Sequence, residues 1–284
     1  MKYIYSTLLL LFIYIGNSYA QKTDEGIVFH NGQAFQKTTV VQSTSKITGV
    51  KNSVNISSTS TVNSLYKVGD STNAGYTFDF TIQKMTTDIE SAGKKMSYNS
   101  DKPIDSTSQL QKALNLVVGK KILLTVNKNG VITKVDQEKQ DAATANIPPA
   151  VQSSIAKFTT GKTFDLNTSV PMNIMSKTGS TWTDSTTAEG SSQVINYTVN
   201  SVDQGIATIV FSGVITGKTE FTSNDVETKE EFVMKTDGRF GININTGIIE
   251  NRTSNYNTTG KIVTSNTVLL TSVNSTTNEV VTKQ

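Results

Sequence analysis

The alternation of apolar and polar residues between positions 76 and 82 constrains the fold more than any other feature of the chain. In this stretch successive side chains have opposite character: Tyr76, Thr77, Phe78, Asp79, Phe80, Thr81 and Ile82. Successive side chains of an extended strand point to opposite faces, so the pattern predicts a strand with one buried and one wet face. Turn-forming residues at 73–75 come directly before it. We therefore expect this strand to lie within a sheet that is covered on one side.

Alternating or mainly apolar runs predict strands through most of the remaining chain. Residues 127–130 and the pair Asp237-Gly238 are predicted to be hairpin turns, because Asn-Gly and Asp-Gly tolerate positive φ. Apolar residues on both faces of residues 206–215 predict a central strand that is covered on both sides. The tail at 274–284 is predicted to be frayed. The predicted strands are residues 33–48, 52–68, 76–88, 95–99, 120–126, 131–135, 194–202, 206–215, 226–236, 240–244, 248–255 and 262–273.

Two short helices are predicted among these strands. Either Asp105 or Ser106 is suited to cap the first helix, and Gly119 is expected to end it. The second helix is predicted at 148–158, since it begins with a proline, which fits a first helical turn. The polar run 136–146 is the candidate linker. The apolar stripe of the first helix consists of Leu110, Ala113, Leu114 and Val117. We therefore expect a mainly β, α+β fold.

Short landmarks that occur in the same order in both parts of the chain suggest an internal duplication. Tyr66 and Val68 precede one turn and strand, and Tyr197 and Val199 precede another. Residues 32–35 are similar to 161–164, and residues 128–131 to 245–248. We therefore expect two related antiparallel β-meander halves that form curved sheets or half-barrels. The predicted boundaries are an N-terminal half at 21–146, with one helix, and a C-terminal half at 147–284.

The first twenty residues have the pattern of a signal peptide. Lys2 supplies a positive start, residues 8–15 an apolar core, and residues 18–20 an approximate cleavage site. The apolar core is shorter than the ~20 residues that a transmembrane helix needs, although an uncleaved anchor is the alternative reading. No other stretch is suited to crossing a membrane after signal removal. We expect an exported protein, periplasmic or secreted, and the absence of cysteine means that its stability rests on its core and not on disulfides.

Charge and motif content argue against several classes of function. The chain has 26 Lys and Arg against 23 Asp and Glu, with the basic residues scattered, so nucleic acid is not an expected partner. His30, the only histidine, has no neighbours at ligand spacing, and we predict no metal site and no cofactor. The chain carries no nucleophile elbow, phosphate loop or dinucleotide fingerprint. We therefore expect no enzymatic activity.

The linear order of six short motifs resembles an uncharacterised family of bacterial exported proteins, a domain of unknown function. The motifs are Asn31-Gly32-Gln33, Asn73 to Phe78, Leu114 to Ile122, Asn129 to Ile132, Val170-Pro171 ahead of Gly179 to Trp182, and Asn245 to Ile248. Members of the family often carry a lipid-attachment cysteine after the signal, which this chain lacks. The layout is similar to the concave half-barrels of periplasmic lipoprotein carriers, which implies a curved antiparallel sheet with helices closing one side. The resemblance implies no catalytic residues.

Aromatic residues on the predicted inner faces are the candidate ligand-binding residues: Phe78, Phe80, Trp182, Tyr197 and Phe211. Such side chains suit either a packed core or a lined cavity, and the sequence leaves this choice open. Our first hypothesis is a non-enzymatic cell-envelope protein that binds a hydrophobic small molecule, a lipid or acyl chain, in the concavity of a curved sheet. The alternative is a structural module that binds an envelope protein through exposed strand edges, with the hairpin at 33–68 pairing to a partner strand.

Overall fold

The computed structural model describes residues 28–49, 52–136, 158–168, 172–188, 190–223, 226–264 and 267–284. These residues form twelve strands and two short helices, α1 at Gln109–Asn115 and α2 at Met172–Met175. The first six strands are β1 Ala34–Thr48, β2 Ser53–Thr72, β3 Gly75–Ser91, β4 Lys94–Asn99, β5 Lys121–Asn127 and β6 Ile132–Val135. The other six are β7 Thr181–Ala188, β8 Ser191–Asp203, β9 Ile206–Ser223, β10 Val226–Asn243, β11 Ile249–Thr264 and β12 Thr267–Lys283. The predicted mainly β fold is confirmed.

All twelve strands belong to one antiparallel sheet. Its order is β6-β5-β3-β2-β1-β12-β11-β10-β9-β8-β7, and β4 pairs with the later part of β3. Nearly all neighbours in the sheet are also neighbours in sequence, whereas the pairing of β1 with β12 joins the first and last strands at the centre. No pairing among the described residues joins the edge strands β6 and β7. The sheet is therefore curved but open.

The predicted frayed tail is wrong, because residues 274–283 form most of β12. This strand pairs with β1 on one side and β11 on the other, and Phe35 stands opposite Lys283 almost at the end of the chain. Polar side chains strengthen the pairing on the outer face, for example Asn257 with Asn274 at 2.6 Å and Thr253 with Asn278 at 3.0 Å. The sequence prediction treated residues 274–284 as a frayed chain terminus, but in β12 Ser, Thr and Asn occupy both faces of a central strand.

The prediction that the hairpin at 33–68 pairs with a strand of another protein is also wrong. Strand β1 pairs with both β2 and β12, and β2 pairs with both β1 and β3. Both strands of this hairpin thus have their backbone hydrogen bonds satisfied within the sheet over most of their length. The hairpin offers no long free edge to another chain.

Asp237 and Gly238 do not form the predicted hairpin turn but lie inside the continuous strand β10. Asp237 stands between Ser212 and Asn255, whose amide donates a 2.9 Å hydrogen bond to the aspartate. Gly238 stands opposite Phe211, and the ring of Phe211 occupies the space that a Cβ atom at position 238 would need. The glycine is therefore required by close packing and not by a turn.

Strand β9 is internal, but only one of its faces is covered by described residues. Ala207 and Ile209 are fully buried on the inner face, whereas Val210 is 38% and Val214 42% exposed on the outer face. The prediction of a strand covered on both sides is wrong. Valine suits a pleated strand even where its side chain meets water, so apolar residues on both faces do not prove two covering layers.

The first predicted helix exists, although its cap lies later than expected. Ser108 is the N-cap, and its hydroxyl accepts a 3.2 Å hydrogen bond from the backbone N–H of Gln111. Asp105 instead accepts hydrogen bonds from Thr107 in the preceding turn. Leu110, Ala113 and Leu114 are buried as the apolar stripe predicts.

In the N-terminal half the inner face of the sheet is sealed by residues 158–168, which we call the cover segment. Phe164 packs on Phe78 with ring centroids 4.6 Å apart, and Phe158 packs on Phe80 at 4.7 Å. Backbone hydrogen bonds attach the cover segment to β6 at one end, and the N–H of Ile249 donates to its Leu166 carbonyl at the other. Helix α1 adds Leu110 and Leu114 to the same core. This half therefore has a closed hydrophobic core.

The C-terminal half has two smaller apolar clusters on the inner face. One includes Met175, Val199, Ile209, Phe240 and Ile242, with partly buried aromatic residues packed against it. The other consists of four buried residues with Tyr256 beside them: Ile215, Phe232, Met234 and Val273. Apolar contact is thus spread along this half, and part of its aromatic surface stays accessible.

Similar hydrogen bonds occur in the two halves. Gly32 and Gln33 bracket Val68 with backbone bonds of 3.0 and 2.8 Å, and Gly179 and Ser180 bracket Val199 with bonds of 2.8 and 2.9 Å. By these hydrogen bonds the residue equivalent to Gly32 is Gly179, whereas the sequence comparison matched Gly32 with Gly161. The predicted duplication and the division into halves at 146 remain predictions.

Some predictions concern residues outside the described ranges. These are the signal peptide at 1–20, the second helix at 148–158 except Phe158, and the linker at 136–146 except Asp136. Within the described ranges, no helix has the length and apolar character that a membrane-spanning helix requires.

Candidate functional site

Paired charges lie on the inner face where β1, β12 and β11 adjoin. Lys37 Nζ on β1 lies 2.8 Å from Glu279 Oε1 on β12 and 3.1 Å from Asp165 Oδ2 in the cover segment. Arg252 on β11 stands directly opposite Glu279, with 3.6 Å between Nη1 and Oε2. The hydroxyl of Tyr66 donates a 2.6 Å hydrogen bond to Asp165 Oδ2. These five side chains form what we call the ionic cluster.

Strand alternation places the charged side chains of Lys37, Arg252 and Glu279 on the inner face of the sheet. Lys37 follows Phe35 by two residues and shares its buried face, so the ammonium group is largely removed from water. Burial alone would lower the pKa of Lys37, but the carboxylates of Asp165 and Glu279 outweigh burial and raise that pKa. Burial likewise opposes ionisation of Glu279, yet Lys37 and Arg252 hold its pKa below the ordinary value. Both partners therefore stay charged across the neutral range.

Beside the ionic cluster the inner face forms a pocket of about 250 Å³, which we call the ionic pocket. Lys37, Tyr66, Asp165, Arg252 and Glu279 line it, together with Lys162 and residues of β1, β2 and β6. Its volume is slightly below the ~300–1,000 Å³ typical of small-molecule sites. The pocket can hold a small polar group, and it is too small to enclose a whole lipid.

The ionic pocket contains hydrogen-bonding groups that the cluster does not use. Asp165 Oδ1 is buried and accepts no hydrogen bond from the described residues, although Oδ2 of the same carboxylate accepts two. Arg252 has five donors, and its ion pair within the described residues is the long contact to Glu279. Burial lowers the pKa of Lys162, whose ammonium group forms no ion pair with any described residue.

A row of aromatic rings crosses the inner face of the C-terminal half, from β7 to β10. The centroid distances are 4.9 Å from Trp182 to Tyr197, 6.0 Å from Tyr197 to Phe211 and 6.2 Å from Phe211 to Phe240. Trp182 and Tyr197 are stacked with only 4° between their planes. Their spacing is close to the ~4.8 Å between neighbouring strands, as expected for residues that stand directly opposite each other on β7 and β8. Trp182, Tyr197 and Phe211 are only partly buried. We call these four residues the aromatic row.

The aromatic row ends at the ionic pocket. The guanidinium carbon of Arg252 lies over the ring of Phe240, 5.5 Å from its centroid. Arg252 also lines the ionic pocket. Arg252 thus joins an apolar strip to a polar recess, which is the arrangement that an amphiphilic molecule would fit.

Burial also affects the middle of the row. Burial, together with the nearby carboxylate of Asp184, raises the pKa of Tyr197 to about 12. The hydroxyl of Tyr197 is therefore neutral at any physiological pH. It contributes no charge to a ligand that lies along the row.

The five sequence-predicted site residues fall into two separate groups. Phe78 and Phe80 are 0% and 1% exposed and belong to the sealed core beneath the cover segment. Trp182, Tyr197 and Phe211 form a contiguous surface in the other half. Two of the five residues are therefore core residues and three lie on a partly accessible surface, and their role in ligand binding stays a prediction.

The ionic cluster was not predicted from the sequence. One signal was available, since Lys37 occupies the same strand face as Phe35 and a charge at such a position requires a buried partner. The partners could not be found in this way, because Glu279 lies in a tail predicted to be frayed and Asp165 in a segment assigned no structure. Among the described residues, no group of three or more His, Cys, Asp or Glu side chains is placed to hold a metal ion.

The fold and site define a mainly β protein with one open, curved antiparallel sheet whose inner face carries a sealed core and an accessible aromatic surface. The chain belongs to the family of unknown function DUF6263, whose model matches residues 73–249. The predicted resemblance is thereby confirmed. A comparison with curated proteins finds no match.

Among solved structures, the fold is similar to part of lipovitellin, in a structure described as "lipid-protein interactions in lipovitellin". The TM-score is 0.51 at 10% sequence identity, and the match covers 90% of this chain and 26% of the lipovitellin chain. This chain thus spans about a quarter of that protein. An outer membrane channel of Pseudomonas putida F1 matches at TM-score 0.24 and 7% identity, covering 92% of this chain and all of the channel. OpdQ of Pseudomonas aeruginosa matches at 0.26 and 7%, covering 88% and 99%.

Proposed function

We propose that the protein is a non-enzymatic, exported binding protein that holds an apolar ligand, a lipid or acyl chain, along the aromatic row. The observation that carries the proposal is the difference between the two halves of the inner face. In the N-terminal half the cover segment seals the aromatic residues from solvent, whereas Trp182, Tyr197 and Phe211 remain partly accessible. An accessible strip of large apolar side chains marks a binding surface more often than an accident of folding.

The dimensions of the aromatic row suit an extended hydrocarbon chain. From Trp182 on β7 to Arg252 on β11 the row crosses four inter-strand steps of ~4.8 Å, which gives a length of about 19 Å. Each methylene removed from water contributes about 0.8 kcal/mol, so about ten methylenes would supply about 8 kcal/mol before the cost of association. The lipid contacts named in the description of the lipovitellin structure make such a ligand a natural first choice.

The ionic cluster gives no support for an enzymatic role. Lys37 and Glu279 are held as a charged pair by one another, so neither is poised to exchange a proton near neutral pH. A general acid or base requires a pKa near the working pH. We therefore interpret the cluster as a structural and recognition element.

Strand-edge binding to a partner protein, the alternative function, has less support. Edge strand β7 carries an inward-pointing carboxylate, Asp184, and β4 carries Lys94 and Lys95. Inward charges and edge lysines are devices by which sheets avoid pairing with other chains. Both strands thus have the character of protected edges.

The intrinsic fluorescence of Trp182 provides a direct test, because it is the only tryptophan of the chain and lies in the row. Titration with a twelve-carbon ligand such as laurate or dodecanol should change its emission in a saturable manner. Native mass spectrometry of protein purified without detergent should show one bound lipid. Absence of both signals would refute the proposal.

A pair of variants on one strand separates the row from a general surface effect. Phe211→Thr removes a ring from the row, whereas Val210→Thr changes the next residue, which lies on the outer face. We expect Phe211→Thr to weaken binding about tenfold or more, as loss of a central aromatic contact commonly does. Val210→Thr should bind like the wild type. Equal affinities for the two variants would mean that the ligand lies elsewhere.

A further inference from the structure

We infer that the ligand is an anionic amphiphile whose charged head group enters the ionic pocket and is bound by Arg252 and Lys162. The inference rests on the proposed function, because it concerns the polar end of the ligand whose chain lies along the aromatic row. It is carried by the geometry at Arg252, which lies over Phe240 at the end of the row and also lines the pocket. A chain that follows the row therefore brings its head group to this recess.

The charges around the ionic pocket favour an anion. Lys37, Lys162 and Arg252 are cationic and Asp165 and Glu279 are anionic, so the lining carries one excess positive charge. Lys37 is held between the two carboxylates at 3.1 and 2.8 Å, so two of its three N–H donors are already engaged. Within the described residues, the donors that remain unused belong to Arg252 and Lys162. Arginine is particularly suited to carboxylate and phosphate oxygens, because its planar donors can bind two oxygens at once.

The carboxylate of Asp165, which lines the pocket, has one oxygen without a hydrogen-bond partner among the described residues. Its Oδ1 is buried beside the pocket and accepts no hydrogen bond from the described residues. Leaving such an acceptor unpartnered is unfavourable, so a group that also carries a donor would complete it. A hydroxyl next to the anionic centre, or a singly protonated phosphate monoester, has this combination. The chemistry shared by these head groups is an anionic oxygen together with a hydrogen-bond donor or an ordered water.

Three twelve-carbon probes distinguish the head from the chain: laurate, dodecyl phosphate and dodecanol, each titrated below its aggregation concentration and followed by Trp182 emission. We expect laurate, dodecyl phosphate or both to bind at least about tenfold more tightly than dodecanol. The tighter of the two anions identifies the head group as a carboxylate or a phosphate. The preference should weaken as salt is added, since a partly exposed arginine is screened by ions.

The two arginines of the chain provide a matched pair of variants. Arg252→Gln removes the charge at the pocket, and Arg239→Gln removes the same charge from the outer face of β10. We expect Arg252→Gln to abolish the preference for anions while dodecanol still binds, and Arg239→Gln to retain the preference. Should Arg252→Gln fail to fold, Lys162→Gln tests the same point, because it carries no ion pair with a described residue and should reduce the preference several-fold.

The outcomes separate the inference from the function on which it rests. Equal affinity of the wild type for dodecanol and both anions would overturn the inference but leave the apolar binding site in place. An anion preference that survives in both Arg252→Gln and Lys162→Gln would also overturn it, because the head group would then lie elsewhere. If none of the three probes binds, the proposed function itself is refuted.

Discussion

Replacing Glu230 with glutamine should stabilise the protein above neutral pH and have little effect in acid. Glu230 lies on the inner face of β10 and is 3% exposed, and its Oε1 has no hydrogen-bond partner in the described residues. Thr219 and Ile262 stand opposite it on the neighbouring strands, and neither is charged. Burial without a compensating charge raises its pKa from 4.5 to about 7.

The sign and size of the effect follow from this pKa. The folded state binds the proton of Glu230 more tightly than the unfolded state, so its contribution to stability is fully present below pH 4.5. The contribution decreases as pH rises and is lost above pH 7. A difference of about 2.5 pKa units at 1.36 kcal/mol per unit gives a cost of about 3 kcal/mol in alkaline solution. Glutamine has the same shape and remains neutral, so it avoids this cost.

Urea unfolding of the wild type and Glu230→Gln at pH 4.5 and pH 8.5 measures the effect. We expect the two proteins to differ little at pH 4.5 and the variant to be more stable by about 2–3 kcal/mol at pH 8.5. Glu231→Gln is the matched control, because the next carboxylate lies on the outer face, where Lys218 and Lys261 lower its pKa. That control should show no stabilisation in alkali. A Glu230→Gln advantage that is equal at both pH values would refute the reasoning.

Three further variants test the core, the ionic cluster and the helix cap. Phe80→Asp should abolish cooperative thermal unfolding, since it buries an unpaired charge at a cost of several kcal/mol, and a wild-type melting temperature would disprove the face assignment. Lys37→Met should destabilise the protein by about 3–5 kcal/mol in urea, because its carboxylate partners lose their buried cation, and a loss below about 1 kcal/mol would contradict the role of the cluster. Ser108→Ala should cost about 1 kcal/mol in the same assay through loss of the hydrogen bond to Gln111, and an unchanged midpoint would rule out the cap.

The elements predicted well are those in which one face of a strand is strongly apolar. Around Phe78 and Phe80, and likewise at Ile195 and Val199, alternation alone identifies the buried face. Every second residue there must be apolar, because only one face of the strand packs against the core. The prediction failed where the residues on both faces of a strand are polar. In β12, Ser275 and Thr277 face inward while Thr276 and Asn278 face outward, so no periodicity marks the strand.

Other errors arose because the residues that determine the local structure lie far away in sequence. Gly238 was assigned to a turn by its local dipeptide, but its role is to make room for Phe211 on the adjacent strand. The ionic cluster is a further example, since Lys37 and Glu279 meet only after twelve strands have been placed in order. The accessible aromatic row depends on which half the cover segment closes, and no local pattern around Trp182 or Tyr197 carries that information.

The position of the ionic cluster suggests why the polar central strands have a single register. Strands rich in Ser and Thr gain little from one alignment over another, whereas a slip of β12 by one residue would move Glu279 to the outer face, away from Lys37. The buried ammonium group would then lose its shorter ion pair and keep only Asp165 as a partner, so the pair with Glu279 penalises the wrong register. We therefore expect Lys37→Met to accelerate hydrogen exchange of β12 amides more than those of β3, which the apolar core aligns independently. Uniform acceleration across both strands would show that the lysine contributes to global stability alone and does not set the register.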